Sequence, residues 1–194
     1  MLILRRRRFV KTTDSRHGFH VWPNLIRNVV PSMPHQVWVS DLTYIRTDEG
    51  FMYLSLVTDA FSRKIVGFDV SDSLEAAGCQ RALKMALKQL PEGARPIHHS
   101  DRGTQYCCDA YTGLLRKRGC PISMTEVNHC YENALAERVN GILKSEYALG
   151  EGFRRKPQAV QATRQAVTLY NERRPHTSLD YRLPAEVHAM GYAA

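Results

Sequence analysis

The sequence predicts an α/β domain, a mixed sheet of about five strands flanked by helices. Three observations predict it. Strand-forming residues crowd into three closely spaced runs between Val37 and Val70. Apolar residues then recur at helical spacing in stretches beginning near Glu75, Cys107 and Asn133. Short apolar runs separate those stretches, so strands and helices alternate in the second half, as an α/β layer architecture requires.

Ahead of these elements, residues 1–33 read as a basic arm or linker. Arg5 to Arg8 form a charge run, Thr12, Thr13, Asp14 and Ser15 are poor core material, and Pro23, Pro31 and Pro34 would interrupt a long helix. The core is expected over 34–150. Val37, Trp38, Val39, Leu42, Tyr44 and Ile45 read as a first strand and Asp48-Glu49-Gly50 as a turn. Phe51 to Val57, apolar almost throughout, reads as a second strand covered on both faces. Val66, Phe68 and Val70 alternate in a third, and the short turns make the three an antiparallel meander. Asp72-x-x-Glu75 reads as a capping box opening a helix whose stripe is Cys79, Leu83, Leu87 and Leu90. Pro96 to His99 reads as a fourth strand by its place. Cys107, Tyr111, Leu114 and Leu115 form a second helical stripe, stopped by Gly119. Ile122 and Met124 read as a short fifth strand, and a third helix is expected from about Asn133 to Leu149. Residues 151–194 are polar and basic. They read as a tail with one helix over Pro157 to Arg173 and an extended end around Arg173-Arg174-Pro175-His176 and Pro184. Both ends are expected to lie outside the compact core.

A chain of 194 residues, 43% of them hydrophobic, has enough apolar material for one packed domain plus arms. No apolar run approaches the ~20 residues of a membrane span, and Met-Leu-Ile-Leu followed by arginines is too short for a signal peptide, so no membrane partner is expected. Five cysteines, an odd number without close pairing, argue against a secreted disulfide scaffold and for a reducing cytoplasm. A net charge of +8 either keeps a solvated surface soluble or attracts phosphate, and only the placement of the charges separates the two.

Three carboxylates stand out. Asp41 lies inside the first strand, where an acid is unfavourable without a task or a partner. Asp101 follows Ile97-His98-His99-Ser100, at a strand end. Glu137 sits within the third helix. There Leu135, Val139 and Ile142 share one face, expected against the sheet, while Glu137 and Lys144 share another, ~10 Å apart along the axis. Alone, Glu137 reads as an ordinary solvated helix residue. Together the three acids make an oxygen-only donor set of the kind that hard cations such as Mg²⁺ favour.

Trp38-x-x-Asp41-x-Thr43-Tyr44-Ile45, Tyr53-Leu54, Asp59-x-Phe61-Ser62-Arg63 and His99-Ser100-Asp101-Arg102-Gly103-x-Gln105-Tyr106 resemble bacterial insertion-sequence transposases with a retroviral-integrase-type (DDE) core. The match continues with Tyr131-Glu132-Asn133-Ala134-x-Ala136-Glu137, Leu143-Lys144-x-Glu146, Tyr170-Asn171-x-x-Arg174-Pro175-His176 and Pro184. Glu137 comes 36 positions after Asp101, so 35 residues intervene, the spacing this family shows. The basic residue seven positions after the glutamate is Lys144.

The resemblance implies a ribonuclease-H-like fold, with the two aspartates on neighbouring strands and the glutamate helix beside them. It makes Asp41, Asp101 and Glu137 the catalytic and metal-binding triad. The expected cofactor is Mg²⁺ or Mn²⁺, two ions ~4 Å apart that serve the attacking and leaving oxygens. The implied activity is DNA strand cleavage that frees a 3′-hydroxyl, then transfer of that end into target DNA. The implied partners are the element ends, the target and further copies of the chain, in the bacterial cytoplasm at the nucleoid. Two rivals stay open: a nuclease of the same fold that hydrolyses without joining, and a non-catalytic DNA-binding or dimerising fragment. Full-length members carry DNA-binding helices ahead of the core. This chain starts in what resembles the linker, so Met1 reads as an internal start or the product of a truncated gene.

Candidate DNA contacts are Arg102, Arg138, Lys144 and Tyr131, with Arg116, Lys117 and Arg118 as further cations, some of them plain surface charge. Tyr131 is evenly balanced between stacking on a base and anchoring its loop. Arg173, Arg174 and His176 read as holding DNA or a partner subunit. Asp59 reads as capping a turn or pairing with Arg63. His98 and His99, with Cys107 and Cys108, lack the ligand spacing of a structural zinc site, and the cysteines read as small core residues.

Overall fold

The computed structural model describes residues 17–126 and 133–191. Strands β1 (Val37–Thr47), β2 (Gly50–Asp59) and β3 (Ile65–Ser71) form the expected antiparallel meander. On the other side of β1, β4 (Ile97–Ser100) pairs with it in parallel, and β5 (Ile122–Met124) pairs in parallel with β4. The resulting mixed five-stranded sheet has the order β3-β2-β1-β4-β5. A tight turn cannot join parallel strands, so helices make these crossovers. They are α1 (Ala76–Lys88) before β4, and α2 (Thr104–Cys107) with α3 (Asp109–Lys117) before β5.

The alternation of β1 divides its side chains between two cores. Trp38 and Leu42 face the cluster of Cys79, Leu83 and Leu87 from α1 with Tyr111 and Leu115 from α3. Val37, Val39 and Ile45 face the other side, which is covered by α4 (Ala134–Glu146) and α5 (Lys156–Arg173). Asp41, one step from Leu42, therefore lies on the α4 side. At Gly67 in β3 the backbone of α1 comes so close that an added Cβ would clash with the carbonyl oxygen of Ala82.

Three expectations change. Asp72 and Glu75 form no capping box: the N-cap of α1 is Glu75, without a side-chain cap bond, and its N–H is taken by Ser73 Oγ. The second helical stripe is broken at Cys108, whose extended backbone (φ −66°, ψ 149°) separates α2 from α3. The segment after Gly150 does not lie outside the core. The helix expected there forms, and it buries Ala159, Ala166, Val167 and Tyr170 in one cluster with Ile45, Leu54 and Leu143. That stripe is narrow and alanine-rich, so the polar residues around it concealed it. Beyond α5, the helix α6 (Pro184–Met190) buries Val187 and His188. Before β1, the chain runs along β5, where Leu25 N–H donates to Ser123 Oγ at 2.9 Å and Arg27 pairs with Glu126. Among the described residues, no helix is long and apolar enough to cross a membrane.

Candidate active site

The parallel pairing of β1 and β4 sets the first two carboxylates. Ser40 stands opposite Ser100 in the register, and each is followed by an aspartate. Asp41 and Asp101 therefore leave the same rung of the sheet, where β4 ends and β1 continues along β2. Asp41 Oδ1 accepts the N–H of Leu42 at 2.9 Å, and Asp101 Oδ1 accepts the N–H of Gly103 at 2.9 Å.

The glutamate arrives on α4. Asn133, Glu137, Asn140 and Lys144 recur at helical spacing and share one face. Two of them tie that face to β1: Asn133 Nδ2 donates to the Ser40 carbonyl at 3.1 Å, and Asn140 Nδ2 donates to Asp41 Oδ2 at 2.7 Å. Glu137 stands between these two anchors and is exposed. The opposite flank of the helix packs Val139 and Ile142 against Ile45 and Leu54, as the apolar stripe requires. The role of Asn140 was missed from the sequence, although its position three residues after Glu137 was a usable signal.

Electrostatics tie the three acids together. The Asp41 carboxyl is pushed up to about 7, by burial first and then by the charge of Asp101, with a smaller push from Glu137. The hydrogen bonds from Asn140 and Leu42 oppose this. Lys144 lays its ammonium 4.4 Å from the centre of the Tyr44 ring. Burial lowers its pKa, and the charge of Asp41 acts against that shift.

The chemistry of this donor set fits a hard divalent cation. It offers carboxylate oxygens alone, and their mutual repulsion is what a bound cation would relieve. Among the described residues, no three His, Cys, Asp or Glu side chains are already drawn together as a ligand cluster.

The other expected residues take varied places. Arg102 is half-buried, and its Nε donates to the Thr125 carbonyl at 2.6 Å. Arg138 is exposed on the flank of α4 that carries Leu135 and Ile142, facing away from Asp41. Arg116 stacks 5.5 Å over the Trp22 ring. Tyr131 lies outside the described residues. Asp59 caps the turn between β2 and β3, accepting from both the N–H and the Oγ of Ser62. Burial pushes its pKa up, but hydrogen bonds from His188, Ser62 and His35 outweigh this and hold it below the usual value. His98 Nε2 lies 2.8 Å from both Ser40 Oγ and Tyr111 OH, while His99 Nδ1 meets Ser123 Oγ at 2.8 Å. Cys107 packs on Met124.

Known proteins match this architecture. Two integrase core domain signatures cover residues 31–130 and 118–184. The chain is 37% identical over 93% of its length to the insertion element IS600 uncharacterized 31 kDa protein of Shigella sonnei, covering 67% of that protein. It is 36% identical over 95% of its length to the transposase for insertion sequence element IS629 of Shigella sonnei, covering 62% of that protein. It is 38% identical over 76% of its length to the transposase InsF for insertion sequence IS3A of Escherichia coli K12, covering 51% of that protein. The chain thus spans between half and two thirds of these relatives. The HTLV-2 integrase catalytic core domain in complex with magnesium superposes with a TM-score of 0.64 at 18% identity, covering 82% of this chain and 99% of that one. A simian T-cell lymphotropic virus intasome superposes with a TM-score of 0.68 at 18% identity, covering 91% of this chain and 61% of that one. The fold is ribonuclease-H-like, and the chain belongs to the integrase core domain family that includes insertion-sequence transposases.

Proposed function

We propose that this chain is the catalytic core of a DNA transposase that cleaves a DNA strand and joins the freed 3′-hydroxyl to target DNA. The observation that carries the reading is the Ser40–Ser100 register, which brings Asp41 and Asp101 to one point of the sheet beneath the Glu137 face of α4. Asp41, Asp101 and Glu137 would hold the divalent ions, which when bound activate the attacking oxygen and stabilise charge on the leaving one. Magnesium in the HTLV-2 core supports the choice of Mg²⁺, with Mn²⁺ as the substitute. Asn140 and Leu42 N–H orient the Asp41 carboxylate, and Asn133 holds the helix start against β1. Arg102, Lys144, Arg138 and Tyr131 are the proposed DNA contacts, and a second copy of the chain is the proposed partner that brings two element ends together.

The test is an assay on labelled element-end duplexes with Mg²⁺, with and without target DNA. Nicked ends and joined products are expected with target, and nicked ends alone without it. Asp41→Asn, Asp101→Asn and Glu137→Gln should each lower the rate by on the order of 10²–10³ or more, as removal of other preorganised electrostatic groups does. Nicking without joining would replace the reading with a nuclease. Unchanged rates in all three variants would remove the triad.

A further inference from the structure

Two sequence motifs remain unused by that chemistry, Asp59-x-Phe61-Ser62-Arg63 and Tyr170-Asn171-x-x-Arg174-Pro175-His176. The fold brings them together on the flank of α4 that faces away from Asp41. Asn171 joins them by clamping the backbone of Ile65: its Oδ1 accepts the Ile65 N–H at 2.9 Å and its Nδ2 donates to the Ile65 carbonyl at 3.0 Å. The turn capped by Asp59 holds Arg63 at φ 65°, a left-handed conformation uncommon for a residue with a side chain. Between the motifs lies a cavity of about 520 Å³. Arg63, Arg138 and Arg174 line it, and so do Tyr170 and His176.

Two of these side chains, in ring contact with each other, each carry a buried polar atom with no hydrogen-bond partner among the described residues. Tyr170 is fully buried, and its hydroxyl makes no hydrogen bond. His176 is 8% exposed, and its Nε2 makes none either. An unpaired buried polar atom is costly, and each such case calls for an explanation. The charge around them is one-sided. Arg174 is held in a two-pronged pair by Glu146, at 2.7 and 2.6 Å, which neutralises one of the three guanidinium groups. Arg63 and Arg138 leave the lining positive. The His176 imidazole is lowered to about 4, by burial first and then by Arg174 and Arg63, so it stays neutral beside them.

We propose that this cavity binds a phosphate group, with Tyr170 and His176 as its buried hydrogen-bonding partners and Arg63 and Arg138 as its counter-charges. Guanidinium and hydroxyl donors suit a tetrahedral oxyanion. The cavity is larger than one phosphate, and Leu135 and Pro175 give it an apolar wall against which a sugar can lie. With a net charge of +8 on the chain, the favoured source is a backbone phosphate of DNA, a source that rests on the function proposed above.

The test follows the imidazole resonances of His176 by NMR in the full chain, assigned with His176→Gln, during titration with inorganic phosphate and with a short DNA duplex. Both titrants should shift them. Tyr170→Phe keeps the packing and removes the idle hydroxyl, so it should fold with unchanged or higher Tm, yet bind phosphate about fivefold more weakly. Arg138→Gln should weaken DNA binding and lower the salt slope of log K by ~1. A response to phosphate but not to duplex would keep the phosphate site and overturn the DNA source. No response to either, with phosphate and DNA binding unaltered in both variants, would overturn the proposal. None of these readouts needs metal or strand cleavage, so a chain that cleaves DNA but fails here loses this pocket, and with it Arg138 as a DNA contact, while the converse result removes the triad alone.

Discussion

Asp41 is held between opposing demands. Burial and the nearby acids favour its neutral form, while Asn140 and the Leu42 N–H favour the carboxylate that a cation needs. Asn140→Ala should therefore weaken Mn²⁺ binding by about 10-fold or more, as loss of groups that orient metal ligands does. Electron paramagnetic resonance of free Mn²⁺ measures this directly, and wild-type affinity would reduce Asn140 to a helix anchor. Lys144 presents a separate case. The nearby Glu146 is taken by Arg174, and the Lys144 ammonium packs on Tyr44 near Asp41. A lysine so placed acts as a point charge for phosphate. Lys144→Ala should weaken binding to all DNA sequences alike and lower the salt slope by ~1, with Mn²⁺ affinity unchanged. An unaltered salt slope would make it a packing residue.

At the scale of elements, α4 works on two faces at once. Its apolar stripe seats it on the sheet, and its Asn133–Glu137–Asn140–Lys144 face sets the acid relative to β1. The helix was legible from its periodicity, because burial on one side imposes a 3.6-residue repeat. The docking of α5 was not, because alanines carry little hydrophobic signal while still allowing close approach. The same close approach governs β3 and α1. Gly67 leaves room for the Ala82 carbonyl, and a methyl there would force backbone apart. Gly67→Ala should cost about 1–3 kcal/mol, the usual cost of overpacking, seen as a lower urea midpoint with unchanged m-value. A neutral result would mean that α1 shifts freely on the sheet.

At the scale of the whole molecule, acid should loosen the layers through His98. This imidazole is fully buried between Ser40 of β1 and Tyr111 of α3, and burial lowers its pKa to about 3. It stays neutral in the folded chain, whereas the unfolded chain takes up its proton near the ordinary value of 6.5. Its stabilisation is therefore fully present above about pH 6.5 and is lost as pH falls from there toward about 3. The slope for this one group reaches ~1.4 kcal/mol per pH unit. His98→Gln should be less stable at pH 7 but show a flatter profile between pH 6.5 and 4 in urea unfolding. An equally steep profile would assign the acid sensitivity to other groups.

By itself the sequence determined the alternating strands and helices, the meander, and three acids whose spacing matches a family. These are encoded locally, since side-chain periodicity and turn chemistry act over a few residues. The tertiary structure alone decided that Ser40 stands opposite Ser100, that Asn140 reaches Asp41, and that Arg63 shares a cavity with Arg138 and Arg174. Those facts depend on parallel pairing and helix docking across long stretches of chain. Many registers and docking angles satisfy the same local pattern, and only the packing of both faces of the sheet selects one.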